Sequence, residues 1–327
     1  MSKTSRQKSF SLMIRIAGTL TSMALFFVLI SRQKWDLVFV KAAGISIWII
    51  LLSIFFYLLS FGFNTLRWCI LLWAQNVKIS LWQAYRLTWA GNFASNFLPS
   101  TIGGDGFRML AVHPYSGRKT ISIGSVVLDR IINMAAMACL IPAPLIIFGA
   151  SLHSLFESGV LSLGLSSLAL PPNLQKLFEK FFPKVISALQ IWAAKPWTFI
   201  HAFLVAWPSN LLPMTATYML AHQLGINVNF WQVLGVQTVT YFLSVLPVSV
   251  NGYGLREVAY TTLYAALGAS IEQASTLALV TRLLTLLATV PGAIWLSSAV
   301  SGAAGLDDIP DAIALKNTDS SGGNSKP

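Results

Sequence analysis

PWTFIHAFLVAWPSNLLPMTATYMLAHQLGINVNFWQVLGVQTVTYFLSVLPVSVNGYGL, residues 196–255, runs for 60 residues without one formal charge. A helix crosses ~30 Å of hydrocarbon in ~20 residues, so this stretch holds at least two crossings and a turn. The turn is QLGINVN at 223–229, polar but uncharged, between apolar runs at 197–222 and 230–247. The scarcity of charge extends outward, with uncharged runs at 16–31, 42–66, 87–104, 131–156 and 283–306. Over 327 residues the chain carries 22 Lys plus Arg and 11 Asp plus Glu, where a soluble chain of this length carries ~80 charges. With 55% hydrophobic residues and a mean hydropathy of +0.67, too little polar side chain remains to coat a globule. A soluble enzyme, a disordered chain and a collagen-like fibre are excluded. The fold class read from this pattern is all-α: a polytopic integral membrane protein.

The net charge of +11 suits cytoplasmic loops and anionic lipid headgroups, so no nucleic-acid partner is expected. Cys69 and Cys139 have no His, Cys or carboxylate cluster around them in the sequence, and no disulfide, metal or other cofactor is expected. The four histidines, His113, His153, His201 and His222, are scattered. The first apolar segment has the basic flank of a signal peptide, but Ser31-Arg32-Gln33-Lys34 follows it, so it reads as a permanent span. Residues 151–171, which include Glu157, form the weakest span. Residues 173–192 put Leu174, Leu177, Phe181 and Val185 on one helical face and Lys176, Lys180 and Lys184 on another, an interfacial amphipathic helix. The organisation is one transmembrane domain, 1–300, and a disordered tail, 301–327.

LPSTIGGDGFR at 98–108 aligns without a gap on LPVSVNGYGLR at 246–256, an offset of 148, with five identities in eleven positions. Each copy carries Pro and clustered Gly, namely Pro99, Gly103, Gly104 and Gly106, then Pro247, Gly252 and Gly254. These residues end helices and permit irregular backbone, which survives in a bilayer only when buried in protein or lining a cavity. Each motif reads as the hinge of a re-entrant or broken-helix hairpin, the first about 79–118 and the second about 230–268. Arg67, Lys78, Arg86, Arg118 and Lys119 around the first hairpin suit the cytoplasmic face. Counting from a cytoplasmic N-terminus, spans at 16–31, 42–66, 121–149, 151–171, 197–222 and 273–299 leave the second hairpin entering from outside. The result is an inverted repeat with both termini in the cytoplasm, in the cell inner (plasma) membrane.

Seven ionisable residues sit in or beside the motifs: Asp105, Arg108, Asp129, Arg130, Arg256, Glu257 and Arg282. Such residues are costly in a membrane and mark functional sites. Their sum is +1, which attracts an anion while most charges pair. Asp105 and Arg108, three apart on a helix expected to begin after the glycines, share a face, whereas Arg256 and Glu257 do not. Arg offers a planar fork for phosphate oxygens, and a helix N-terminus adds donors. The competing reading is that these groups are structural ion pairs locking helices together. No catalytic set is recognisable among them.

NFLPSTIGGDGFR at 96–108, LDR at 128–130, NGYGLRE at 251–257 and Arg67-Trp68 resemble the lysylphosphatidylglycerol synthase transmembrane-region family, also called flippase-like domain proteins. The resemblance extends over about residues 10 to 300. It implies an integral membrane region that, in larger members, moves a charged lipid between leaflets. Those members carry a soluble aminoacyl-transferase domain after the membrane region, and here only a short tail follows, so aminoacyl transfer is not expected. The leading expectation is a translocase for a phosphate-bearing lipid, anionic or polyprenyl-linked, with Arg108 and Arg256 on the headgroup phosphate. Asp105 and Glu257 would orient them or exchange protons. The alternatives are a lipid-phosphate group-transfer enzyme and a non-catalytic membrane partner of a lipid- or glycan-modifying enzyme.

Overall fold

The computed structural model describes residues 42–96, 101–157, 192, 195–245 and 255–295. In chain order their helices are α1 (Ile47–Ala74), α2 (Leu81–Ser95), α3 (Thr101–Ala111), α4 (His113–Ser116), α5 (Lys119–Ala138), α6 (Pro142–Glu157), α7 (Pro196–Gln223), α8 (Phe230–Val245), α9 (Leu255–Ala266) and α10 (Ile271–Thr289). No strand occurs among the described residues. The expected first span, the amphipathic helix apart from Trp192, the tail and both hairpin tips lie outside them. So do Pro99, Pro247, Gly252 and Gly254.

Three described helices are long and apolar enough to cross a membrane: α1, α5 and the segment Ile271–Trp295 that contains α10. In α1 the usual arrangement of a soluble helix is reversed. Ser53, Tyr57 and Ser60, spaced so as to share a face, are buried, while Trp48, Leu51 and Phe55 are exposed. That is the pattern of a helix whose outer solvent is hydrocarbon.

α1 packs along the whole of α7, and the two run antiparallel. At one end the Ser46 amide donates to Gln223 Oε1 (3.4 Å); midway Ser60 Oγ donates to the Ser209 carbonyl (2.6 Å); at the other end Trp192 Nε1 donates to the Leu71 carbonyl (2.8 Å) and Lys195 Nζ to that of Ala74. Both helices are 28 residues long. Each leads into the same loop, shifted by 149 positions. Asn76 (φ 59°) and Gly225 (φ 73°) take the left-handed turn. The Val77 amide then donates to the Leu72 carbonyl as that of Ile226 does to Ala221, and Ile79 to Val77 as Val228 does to Ile226. A reciprocal cap opens the next helix in both places, Ser80 with Gln83 and Asn229 with Gln232. Two apolar clusters form around opposite ends of the α1/α7 pair. One holds Trp68, Leu71, Val112, Ile121 and Leu128; the other holds Tyr57, Leu220, Val233, Tyr260 and Leu277.

Several expected boundaries move. α7 and the turn after it agree with the charge-free reading within a residue. α1, however, continues eight residues past the expected end at 66, so Arg67 is an interior residue with 3% exposure rather than a cytoplasmic flank. An arginine ends a charge-free run but need not end a helix when a carboxylate neutralises it. The single span expected at 121–149 is divided between α5 and α6, with Pro142 opening the second helix, a first-turn position where its missing N–H costs no helical hydrogen bond. α3 begins at Thr101, so Gly103, Gly104 and Gly106 lie inside the helix and not before it.

The helical glycines have a packing role. α2 crosses α3 so closely that a Cβ on Gly104 would overlap Ser95 Oγ and the Gly91 carbonyl oxygen, and one on Gly91 would come within 3.0 Å of Arg108 Cγ. Small residues let membrane helices meet backbone to backbone. Gly104→Ala is therefore expected to destabilise the protein by about 1–3 kcal/mol through overpacking, read as a lowered thermal midpoint in detergent. Gly62→Ala on α1, where a Cβ meets nothing within 4 Å, should be neutral or stabilising by up to about 1 kcal/mol. Equal midpoints for both variants would refute the close-approach account.

Candidate functional site

Asp129, in the middle of α5, holds two arginines from two other helices. Arg67 Nε on α1 donates to Asp129 Oδ1 at 2.7 Å. Its other nitrogens are also committed, Nη1 to Asn133 Oδ1 (2.7 Å) and Nη2 to Asn64 Oδ1 (2.8 Å), with Ser209 Oγ 3.4 Å from Nη1. Arg108 on α3 takes the other carboxylate oxygen less tightly, with Nη1 and Nη2 at 3.2 and 3.3 Å from Oδ2. Asp105 Oδ1 lies 3.6 Å from Arg108 Nη1, and the guanidinium sits 4.2 Å from the Trp68 ring centre. Arg130 Nε donates to Asp105 Oδ2 at 2.5 Å, with 41% of its side chain exposed. Three guanidiniums face two carboxylates, which leaves +1.

These groups line a cavity of about 170 Å³ together with Thr88, Asn92, Ser95 and Asn133. Arg108 Nε and Thr88 Oγ1, both buried on its wall, have no hydrogen-bond partner among the described residues. Buried polar atoms are nearly always satisfied, so these two exceptions on one polar wall set the cavity apart. Arg67 is saturated and pins helices. Arg108 is long-bonded on one edge and unspent on the other, the state of a group ready to exchange partners.

A second cavity, also about 170 Å³, is lined by Ser209, Asn210, Gln237, Thr240, Tyr241, Ser244 and Arg256, with Met137, Pro213 and Met214. Arg256 lies 5.6 Å from the Tyr260 ring centre. Side chains of the two linings meet directly between the cavities: Asn133 Nδ2 donates to Tyr241 Oη at 3.0 Å, and Asn210 Nδ2 donates to Asn133 Oδ1 at 3.1 Å. The wall is one hydrogen-bonded layer thick.

The structure thus brings Asp105, Arg108, Asp129 and Arg130 together and separates them from Arg256. Glu257 Oε1 lies 3.8 Å from Arg282 Nε. Asp129 and Arg130, adjacent in sequence, pair with different partners. Arg67, Thr88, Asn92, Asn133, Asn210, Gln237 and Tyr241 did not emerge as site residues from the sequence. Their signal is polar spacing: Thr88 with Asn92 and Asp129 with Asn133 recur at four residues, one face of a helix.

Apolar-faced helices enclosing an interior charge network define a helical integral membrane protein. The chain matches the family described as lysylphosphatidylglycerol synthase TM region over residues 15–292 and belongs to it. No curated protein matches the chain significantly.

Removing one partner from a buried ion network costs about 3–5 kcal/mol because the other charge stays buried. Asp129→Ala strands both Arg67 and Arg108 and should abolish the monodisperse detergent-solubilised protein, or lower its thermal midpoint steeply. Arg108→Ala leaves the Arg67 pair intact, and its loss should be less than half as large. The opposite order would make Arg108 the structural pin.

Proposed function

We propose that this protein moves a phosphate-bearing lipid, anionic or polyprenyl-linked, between the leaflets of the inner (plasma) membrane as a carrier and not as a group-transfer enzyme. The observation that carries the reading is the first cavity: a +1 guanidinium cluster with Arg108 Nε and Thr88 Oγ1 unspent on its wall. An unpaired phosphate in hydrocarbon costs tens of kcal/mol. A headgroup oxygen that replaces Asp129 Oδ2 on Arg108 keeps the fork geometry, while Asp129 retains Arg67. One excess positive charge draws the phosphate in, and the competing carboxylate lets it leave. Membership of a lipid-associated membrane family supports the reading.

The alternating path follows from an inverted repeat with re-entrant hairpins, α2/α3 in one half and α8/α9 in the other. The antiparallel α1/α7 pair and the matched loops at an offset of 149 support it, because equivalent loops then face opposite sides. Lys78 and Asn227 are equivalent positions in those loops. Single cysteines there, in a chain with Cys69 and Cys139 replaced, are expected to react with an impermeant maleimide from opposite faces, Lys78→Cys from the cytoplasm. Labelling from the same face would remove the inversion.

In liposomes the purified protein is expected to speed transbilayer movement of a labelled phosphate lipid, and Arg108→Ala to slow it ~10-fold or more, equivalent to ~1.4 kcal/mol in barrier. Arg108→Lys should rescue poorly because the fork is lost. Rates equal to those of empty liposomes across phosphatidylglycerol, cardiolipin and polyprenyl phosphate would make the protein a partner of another enzyme instead.

A further inference from the structure

Three hydroxyls on α1 and α9 are buried with no hydrogen-bond partner among the described residues: Ser53 Oγ and Tyr57 Oη on α1, and Tyr264 Oη on α9. Tyr57 interacts electrostatically with both Tyr260 and Tyr264, whose ring centres are 5.6 Å apart. Arg256 has Tyr57 and Glu257 among its electrostatic neighbours. Glu257, Tyr260 and Tyr264 follow at intervals of three and four, one face of α9. At one end of this face Glu257 is 1% exposed. At the other, Tyr264 lies against an exposed turn, its carbonyl accepting from the Ala269 amide (3.0 Å) between exposed Gly268 and Ser270. The seven residues of helix from Glu257 to Tyr264 span about 10 Å.

Such hydroxyls form a proton path. Each can accept and donate at once, its hydrogen rotating to suit, and buried hydroxyls that lack a protein partner are satisfied by water. The carboxylate at the inner end differs from those of the first half. All four oxygens of Asp105 and Asp129 face a guanidinium at 2.5–3.6 Å, whereas Glu257 Oε1 stands 3.8 Å from Arg282 Nε. A metal cation there would need a shell of oxygens beside two guanidiniums; a proton needs one carboxylate oxygen. We infer that Glu257 binds a proton delivered from the turn at 268–270 through the hydroxyls of Tyr264, Tyr57 and Ser53, and that the carrier is driven by protons. One proton passes from water to a Glu257 oxygen and back, and no other bond is made or broken. Arg256 and Arg282 with ionised Glu257 sum to +1, and with neutral Glu257 to +2, so the second half holds an anion more strongly with the proton than without it. The other titratable groups on the helices packed against α9 are Tyr241 on α8 and Glu272 in the first turn of α10, ten residues from Arg282 and so about 15 Å along the helix. This assignment rests on the carrier reading, but the proton site is tested without transport.

Infrared difference spectra of the protein in liposomes, taken as the pH is lowered, read the site directly. The carbonyl stretch of a newly protonated carboxyl is expected in wild type and absent in Glu257→Gln. Should Glu257→Gln not fold, its combination with Arg282→Met, which removes both charges together, takes its place. In stopped-flow with a pH dye, the Glu257-dependent phase of proton uptake is expected to slow ~10-fold in Tyr264→Phe and Tyr57→Phe at unchanged amplitude, since each keeps its ring and loses only the hydroxyl. With the membrane potential clamped at zero, a gradient of one pH unit should concentrate labelled phosphatidylglycerol up to ~10-fold in the leaflet facing the alkaline side, the ratio equivalent to ~1.4 kcal/mol. No Glu257-dependent band overturns the inference and leaves the carrier reading standing. A band with uptake as fast in both tyrosine variants as in wild type overturns the hydroxyl path. Movement of the label to an even distribution under the gradient overturns the coupling. The band and the slowed uptake, in a protein that moves no lipid, support the proton site and remove the carrier reading.

Discussion

A single carboxylate, Asp129, sits where the arginines of two helices would otherwise repel each other. Without it Arg67 on α1 and Arg108 on α3 face each other across a low-dielectric interior, where like charges a few ångströms apart repel strongly. With it, one oxygen serves each guanidinium, and α1, α3 and α5 converge on one point. The other features of the site follow from that convergence. Asn133, one turn along α5, is placed to close Arg67's fork, and Asp105 is placed to take Arg130. The Gly91/Gly104 crossing then has a purpose beyond tight packing, since it brings the α3 backbone, and with it Arg108, deep enough to reach Asp129.

Much of this was legible in the residues because hydrocarbon imposes simple rules. A charge-free run of 60 residues has few readings, and the turn at 223–229 sits between α7 and α8 as its polarity requires. Arg67 shows where the rules give out. A run-length argument treats each charge as a boundary, yet ion pairing is a property of space, and the partner of Arg67 lies 62 positions away. The glycines of the first motif illustrate a second limit. Glycine serves both as a helix breaker and as a close-packing residue, and sequence alone does not show which backbone approaches it. The neutral polar residues were harder still, since Asn133, Tyr241 and Gln237 acquire meaning only beside a cavity.

The internal match is clearer in backbone geometry than in side chains. Only five of eleven motif positions are identical, but the loop after each 28-residue helix reproduces the same left-handed turn, the same two amide bonds and the same reciprocal cap. Turns and caps are set by local torsional demands that few residue types meet, so they persist while the surfaces they connect diverge. The side chains differ more: one cavity holds a dense charge network, the other a single guanidinium among its described lining.

The layer formed by Asn133, Asn210 and Tyr241 has an electrical consequence. A membrane at 100 mV stores about 2.3 kcal/mol per elementary charge, and a continuous water column through a protein would dissipate it as a proton current. An amide and phenol layer between the two cavities stands against such a column, because Asn133, Asn210 and Tyr241 are neutral and already hydrogen-bonded in series. The neutral layer therefore keeps the charge network of the first cavity from opening directly into the second.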